Sequence, residues 1–251
     1  MYLAPMTHDA AFQTFLDTVC PTIQQHGSAF YFTPASLAKG DAVGLDRGQW
    51  YFLGRGGVLG DVEPAVVTAA FGFFNPAIVA MVWNAAKAKV APRAAGTLFM
   101  EACADHGREK LAGVDSLAAF VASAEKVVAA AEVDGLSLFA AVAAEPLADD
   151  LPGRAMQLVA VLREFRGSAH LIAVRAVGLS AKVAHFVSRP NDGRMFGYPE
   201  PIVPTDADRA AMVEAEAVTD RIVAPAYAVL TEAERADFIA SVQAIDAALI
   251  A

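Results

Sequence analysis

Cysteine is nearly missing. Cys20 and Cys103 are the only two in 251 residues, and neither belongs to a CxxC pair. That excludes a disulfide framework and the common zinc spacings, and two isolated thiols are expected to stay reduced in a cytoplasmic protein. Charge is scarce too: 19% of residues are charged against 56% hydrophobic. A chain of that balance is not intrinsically disordered. Basic residues are in deficit, 19 against 28 acidic ones, for a net charge of −9. A domain that grips phosphates needs a lysine- and arginine-rich face, so no nucleic-acid partner is expected.

Other absences narrow the chemistry. There is no HExxH, no GxSxG and no pair of carboxylates at helical metal spacing, so neither a metal nor a cofactor is expected. The glycine-rich run "GRGGVLG" (54–60) lacks the GK[ST] ending of a phosphate loop and fails the GxGxxG spacing. It is expected to be a tight connection between helices, with glycines that let backbone and ligand approach around Arg55. The N-terminal "MYLAPMTHDAAF" has no basic region ahead of an apolar core, so no signal peptide is expected. The most apolar window, "VEPAVVTAAFGFFNPAIVAMVW", is long enough for a membrane span but is interrupted by Glu63, Pro64, Asn75 and Pro76. Two buried helices meeting at Asn75-Pro76 account for it, and no membrane partner is expected.

What is present reads as helix. Alanine is abundant, and the β-branched residues are mainly valines at helical rather than alternating spacing. Phe12, Phe15, Leu16, Val19 and Ile23 form one face of a first helix, with Pro21 expected to kink or restart it. Thr33-Pro34 and Ser180 mark helix starts, Ser116 is a candidate N-cap, and Thr231 with Glu234 forms a capping box. A bend is expected at Gly167-Ser168. The single long irregular stretch, Arg189 to Thr205, is expected to hold a small hairpin or a loop covering a substrate. The periodicity predicts about ten helices in an all-α bundle. It divides into an N-terminal helical domain (residues 1–150) and a C-terminal one (151–251).

The candidate site lies in "LREFRGSAHLIAVRAVGL" (162–179). Arg163, Arg166 and His170 fall at i, i+3 and i+7, one helix face, and Glu164 lies about 100° around the axis. Charge on so apolar a helix needs partners or a function. Two readings stand side by side: a structural ion pair with a hydrogen-bonded core histidine, or a site. In the site, Arg163, Arg166, Arg55 and Asn75 orient a ligand, Trp50 and Phe74 wall it, and His170 moves a proton with Glu164 as its carboxylate. Tyr51, Phe71, Phe73 and Trp83 add apolar surface that serves as ordinary core or as pocket wall. His8, His26 and His106 are expected at the surface near helix ends, and His185 exposed on the helix after Gly178.

"HLIAVRAVGLSAKVAHFVS" has the outline of a helix-turn-helix, or of two packed helices with a glycine turn. With "GRGGVLGDVEPAVVTAAFGFFNPAIVAMVW" and "EAVTDRIVAPAYAVL", the stretch "LREFRGSAHLIAVRAVGL" resembles a family of actinobacterial proteins described as helix-turn-helix or SalK-like. Their motifs run LREHRGDGH, a GRAAPLG-like turn and ALTDRLAAP. The likeness covers about Gln49 to Leu230, and the motif's second histidine is Phe165 here. The last third, "PTDADRAAMVEAEAVTDRIV" and "LTEAERADFIASVQAI", is similar to the closing segment of MarR-type winged-helix regulators. The resemblance implies a degenerate winged-helix-like C-terminal portion and a homodimer through the first and last helices. The leading functional reading is an intracellular protein binding a small, anionic or carbonyl-bearing molecule in an apolar helical pocket. Its alternatives are a cofactor-independent acid–base enzyme using His170 and a MarR-like transcriptional regulator.

Overall fold

The computed structural model describes residues 10–250; His8, expected at the surface, lies outside them. The described chain is all-α. Its helices are α1 (Ala10–His26), α2 (Pro34–Ala42), α3 (Arg47–Gln49), α4 (Pro64–Phe71), α5 (Pro76–Lys87), α6 (Pro92–Lys110), α7 (Leu117–Ala130), α8 (Ser137–Ala143), α9 (Leu151–Ala176), α10 (Ala181–Ser188), α11 (Asp206–Tyr227) and α12 (Glu232–Ile250). Between α3 and α4 the chain stays wound, first as a wide π turn (Trp50–Gly54) and then as a 3₁₀ turn (Gly57–Leu59).

Short polar residues and prolines start these helices. Thr33, Asn75, Asp150 and Ser180 each accept a hydrogen bond from a backbone N–H in the first turn they precede. Proline occupies the first turn of α2, α4, α5, α6 and α9, where its missing N–H costs no intrahelical bond. Thr231 and Glu234 form the expected capping box. Ser116 precedes α7 without capping it through its side chain. Neither Pro21 nor Gly167-Ser168 breaks its helix. The helix α1 continues through Pro21. The helix α9 runs unbroken through Gly167-Ser168, where the Ser168 hydroxyl accepts from the Phe139 N–H at 3.3 Å and ties α9 to α8.

The apolar window divides as expected into α4 and α5, separated by residues 72–75. No single helix among the described residues is long and apolar enough to cross a membrane. The 26-residue α9 is the axis of the molecule, packed against α1, α6, α7, α8 and α11. Elements therefore surround its whole middle, and the polar residues placed there are enclosed. One apolar cluster runs from Phe12 on α1 to Ile245 on α12. A smaller one (Ala173, Val174, Leu179, Ala184, Met212, Ala215) holds the corner between α9, α10 and α11. Residues 189–205 form turns and bends; the hairpin expected there is not formed.

Candidate ligand cavity beneath a helix-turn-helix

Glu164 organises the inner end of the site. It is 4% exposed, yet four hydrogen bonds reach its carboxylate. Arg55 donates from Nε to Oε1 at 2.9 Å and from Nη2 to Oε2 at 2.8 Å. Arg163 Nη1 donates to Oε1 at 2.7 Å, and the Tyr31 hydroxyl donates to the same oxygen at 2.9 Å. Burial opposes ionisation of this carboxyl, but the two guanidinium groups beside it prevail and hold it down at about 2. Arg55 also donates to the Tyr51 hydroxyl at 3.0 Å and lies over the Phe71 ring, 4.3 Å from its centroid. Glu164 is thus a fixed counter-charge.

The π turn delivers Tyr51 and Arg55 to this point, since its extra residue per turn re-aims the side chains that follow. The glycines around Arg55 serve the backbone rather than a ligand. A Cβ on Gly54 would enter the Phe99 ring, and one on Gly57 would fall onto the Pro92 carbonyl oxygen, so α6 lies directly against this stretch. Close packing thus accounts for Gly54 and Gly57, while Gly60, with open space around it, is required by its φ of 85.

Outward from Glu164 opens a cavity of about 270 Å³. The floor is α9, with Arg163, Glu164, Arg166, His170 and Leu171; one wall is aromatic, with Tyr51, Phe71, Phe73 and Phe74; Ala184, His185, Ser188 and Arg189 close the other side. Of the sequence candidates, Arg55, Arg163, Glu164, Arg166, His170 and Phe74 converge here. Trp50 and Asn75 stand apart. Trp50 is fully buried, its indole N–H donating to Ser36 Oγ at 3.0 Å. Asn75 caps α5 and donates from Nδ2 to the Gly197 carbonyl at 2.9 Å, while the Phe196 carbonyl accepts from its backbone N–H at 2.8 Å. Asn75 therefore pins the segment after α10, whose Phe196 stacks on Phe74 with centroids 4.3 Å apart.

His170 has a defined tautomer. The Thr219 hydroxyl gives its proton to the Ala215 carbonyl at 2.7 Å, so at 2.9 Å it accepts from His170 Nδ1–H. Nε2 is left as the basic nitrogen, 3.8 Å from Glu216 Oε1, and can take a proton from a group in the cavity. Phe73, stacked on this ring at 6.3 Å, has φ 55 and is the one left-handed non-glycine residue among those described. Strain of that kind gathers at functional sites.

Three histidines differ from expectation. His26 is buried and paired with Asp246, His106 is buried, and His185 is 3% exposed, its ring tilted against Phe196 with centroids 4.2 Å apart. His185, Gln24, Glu216 and Phe196 join the cavity from α10, α1, α11 and the following loop; single residues so far apart leave no local signal in the sequence. Burial first, then the neighbouring Arg166 and Arg189, hold His170 and His185 below 6.5, and burial does the same to His106. Folding favours their neutral forms, so this stabilisation is complete above pH 6.5 and is lost as pH falls toward the lowered folded values. Urea unfolding at pH 7.5, 6.5 and 5.5 should give a falling stability, with a shallower fall in His170→Gln. A flat wild-type profile would contradict the assignment.

The outer wall of the cavity has a familiar shape. The helix α9 ends at Ala176, the chain turns through Gly178 (φ 82), and α10 departs at 113°. Two helices at roughly 90–120° joined by a short glycine turn make a helix-turn-helix. Residues 17–203 match a helix-turn-helix family. The chain belongs to that helix-turn-helix family. No curated protein and no solved structure matches it.

Membership corrects the expectation that nucleic acid is not a partner, because a helix-turn-helix is a DNA-docking motif. Between residues 171 and 199 stand four basic side chains, Arg175, Lys182, Arg189 and Arg194, against one acidic, Asp192. The balance of charge in this stretch is thus positive on a chain whose total is −9.

Proposed function

We propose that this protein is a ligand-responsive, DNA-binding regulator of the MarR-like kind, with a small-molecule cavity lying directly beneath the second helix of its helix-turn-helix. One observation carries the reading: Ala184, His185, Ser188 and Arg189 of the α10 region are at once part of the DNA-docking motif and one side of the cavity. A molecule seated against α9 and the aromatic wall changes what α10 rests on. A ligand that binds better to one position of α10 shifts the population of that position, and with it the affinity for DNA.

On this reading DNA docks at the exposed end of α10, where Ser188 and Arg189 stand at the rim of the cavity and reach the duplex past it, with Lys182 at the start of the helix, while Arg175 and Arg194 reach the phosphates on either side. The outward surface of α10 is short and sparsely polar, which suits binding dominated by phosphate contacts. If four phosphates are neutralised, affinity should drop on the order of 100-fold between 50 and 200 mM salt. Fluorescence anisotropy with duplexes selected from a random pool measures this. Lys182→Ala with Arg189→Ala should weaken binding and flatten the salt slope. Failure to retain any duplex at 50 mM salt would overturn the DNA limb of the proposal.

A further inference from the structure

Six buried side-chain polar atoms among the described residues have no hydrogen-bond partner. Four of them belong to residues that line this one cavity: Gln24 Oε1, Arg163 Nε, Arg166 Nε and His185 Nε2. Buried polar atoms left unpaired are uncommon and costly, so a cluster of them, two of which are guanidinium N–H donors, calls for an explanation. Gln24, Arg163 and Arg166 also line an adjoining surface groove, together with Arg189 and Glu216. Three of the four residues that carry an orphan atom thus line both the cavity and the groove, with His185 on the cavity side alone.

The charge there is unbalanced. The cavity lining holds four guanidinium groups, from Arg55, Arg163, Arg166 and Arg189, against two carboxylates, Glu164 and Glu216. Glu164 is engaged by Arg55 and Arg163. Arg166 spends Nη2 on Glu216 at 2.7 Å and reaches Asp220 at 3.5 Å, and Arg189 is exposed with its guanidinium over the Phe196 ring. The two unpaired Nε–H groups sit at positions i and i+3 of α9, neighbours on one helix face. Each is a charged donor, and two such donors side by side match two oxygens of one anion.

We infer that the outer end of the cavity is an oxyanion subsite, in which Arg163 Nε–H and Arg166 Nε–H each donate to an oxygen of a carboxylate or phosphate group, with Arg189 closing over it. The apolar remainder of the ligand then lies inward against Phe73, Phe74 and Leu171. The inference rests on the cavity being the ligand site of the proposed regulator, and it adds the charge and placement of the ligand's head group. A cavity of about 270 Å³ is at the small end for ligand sites, which restricts the occupant to a short-chain or compact acid or ester.

Calorimetry and thermal unfolding of the full chain at fixed ionic strength test it, with three probes sharing one tail: hexanoate, hexyl phosphate and hexanol. Either anion should bind at least tenfold more tightly than hexanol, and whichever does so identifies the head group. Arg166→Lys keeps the charge but removes the Nε–H, and should cost the anion about tenfold while leaving hexanol unchanged. If that variant does not fold, the exposed Arg189→Gln serves in its place. Hexanol binding as well as the anions, or anion affinity unchanged in the variants, would overturn the subsite while leaving the cavity as a ligand site. Absence of binding by all three would overturn it too. DNA retention, measured without any probe, reports separately on the regulator reading.

Discussion

Glu164→Gln should cost the protein about 3–5 kcal/mol of folding stability, the range for breaking a buried ion pair by removing one partner. For a chain of this size that corresponds to a fall in Tm on the order of 10 °C. Two guanidinium groups lose their counter-charge: Arg55 and Arg163, whose side chains are 11% and 15% exposed. The new amide also presents an N–H to donors that need an acceptor. The loss comes from stranded charge rather than from lost packing, because glutamine fills the same space. A double variant, Arg55→Met with Glu164→Met, should therefore be less destabilised than Glu164→Gln. Chemical denaturation of the three proteins decides the matter. A Glu164→Gln variant within 1 kcal/mol of wild type would show that the network is solvated and carries no buried charge.

Gly57→Ala should be as damaging or worse, and for a different reason. The added methyl would fall onto the Pro92 carbonyl oxygen and within 2.9 Å of the Gly96 nitrogen. Both are backbone atoms of α6, so no rotamer change gives relief, and overpacking of this kind costs about 1–3 kcal/mol even where side chains can yield. Separation of α6 from the turn after Arg55 would also carry Arg55 away from Glu164. The variant should lose several kcal/mol, or fail to accumulate as folded protein, with a near-ultraviolet circular dichroism signal reduced at Trp50 and Tyr51. Gly113→Ala, where a Cβ meets nothing within 4 Å, is the matched control and should leave Tm within a degree or two. Equal stability of the two variants would mean that the glycine run does not serve close packing.

Much of the architecture was legible before any coordinates. Proline and short polar residues punctuate the helices at Thr33-Pro34, Asn75-Pro76, Ser180 and Thr231, and those starts depend on local backbone chemistry that the sequence displays directly. Pro21 and Gly167-Ser168 do not end their helices, because neighbouring helices pack along α1 and α9; tertiary packing overrode local propensity. The face of Arg163, Arg166 and His170 was legible from helical spacing, as was the unusual placing of Arg55. Asn75 and Trp50 look equally site-like in sequence. Their side chains are instead engaged by Gly197 and Ser36, contacts 122 and 14 residues away in the chain.

The balance of charge misled for a related reason. A sum over 251 residues says nothing about where charges lie, and the basic residues between 171 and 199 stand on both sides of the turn at Gly178. By itself, the sequence determined the helical class, most helix starts and the row of polar groups on the longest helix, because each follows from neighbours three or four positions apart. Only the tertiary structure decided that Glu164 is spoken for by Arg55, Arg163 and Tyr31, that His185 faces inward and that Gln24 joins it from the first helix. Those relations depend on distance through space between segments far apart along the chain, and no local pattern encodes such a distance.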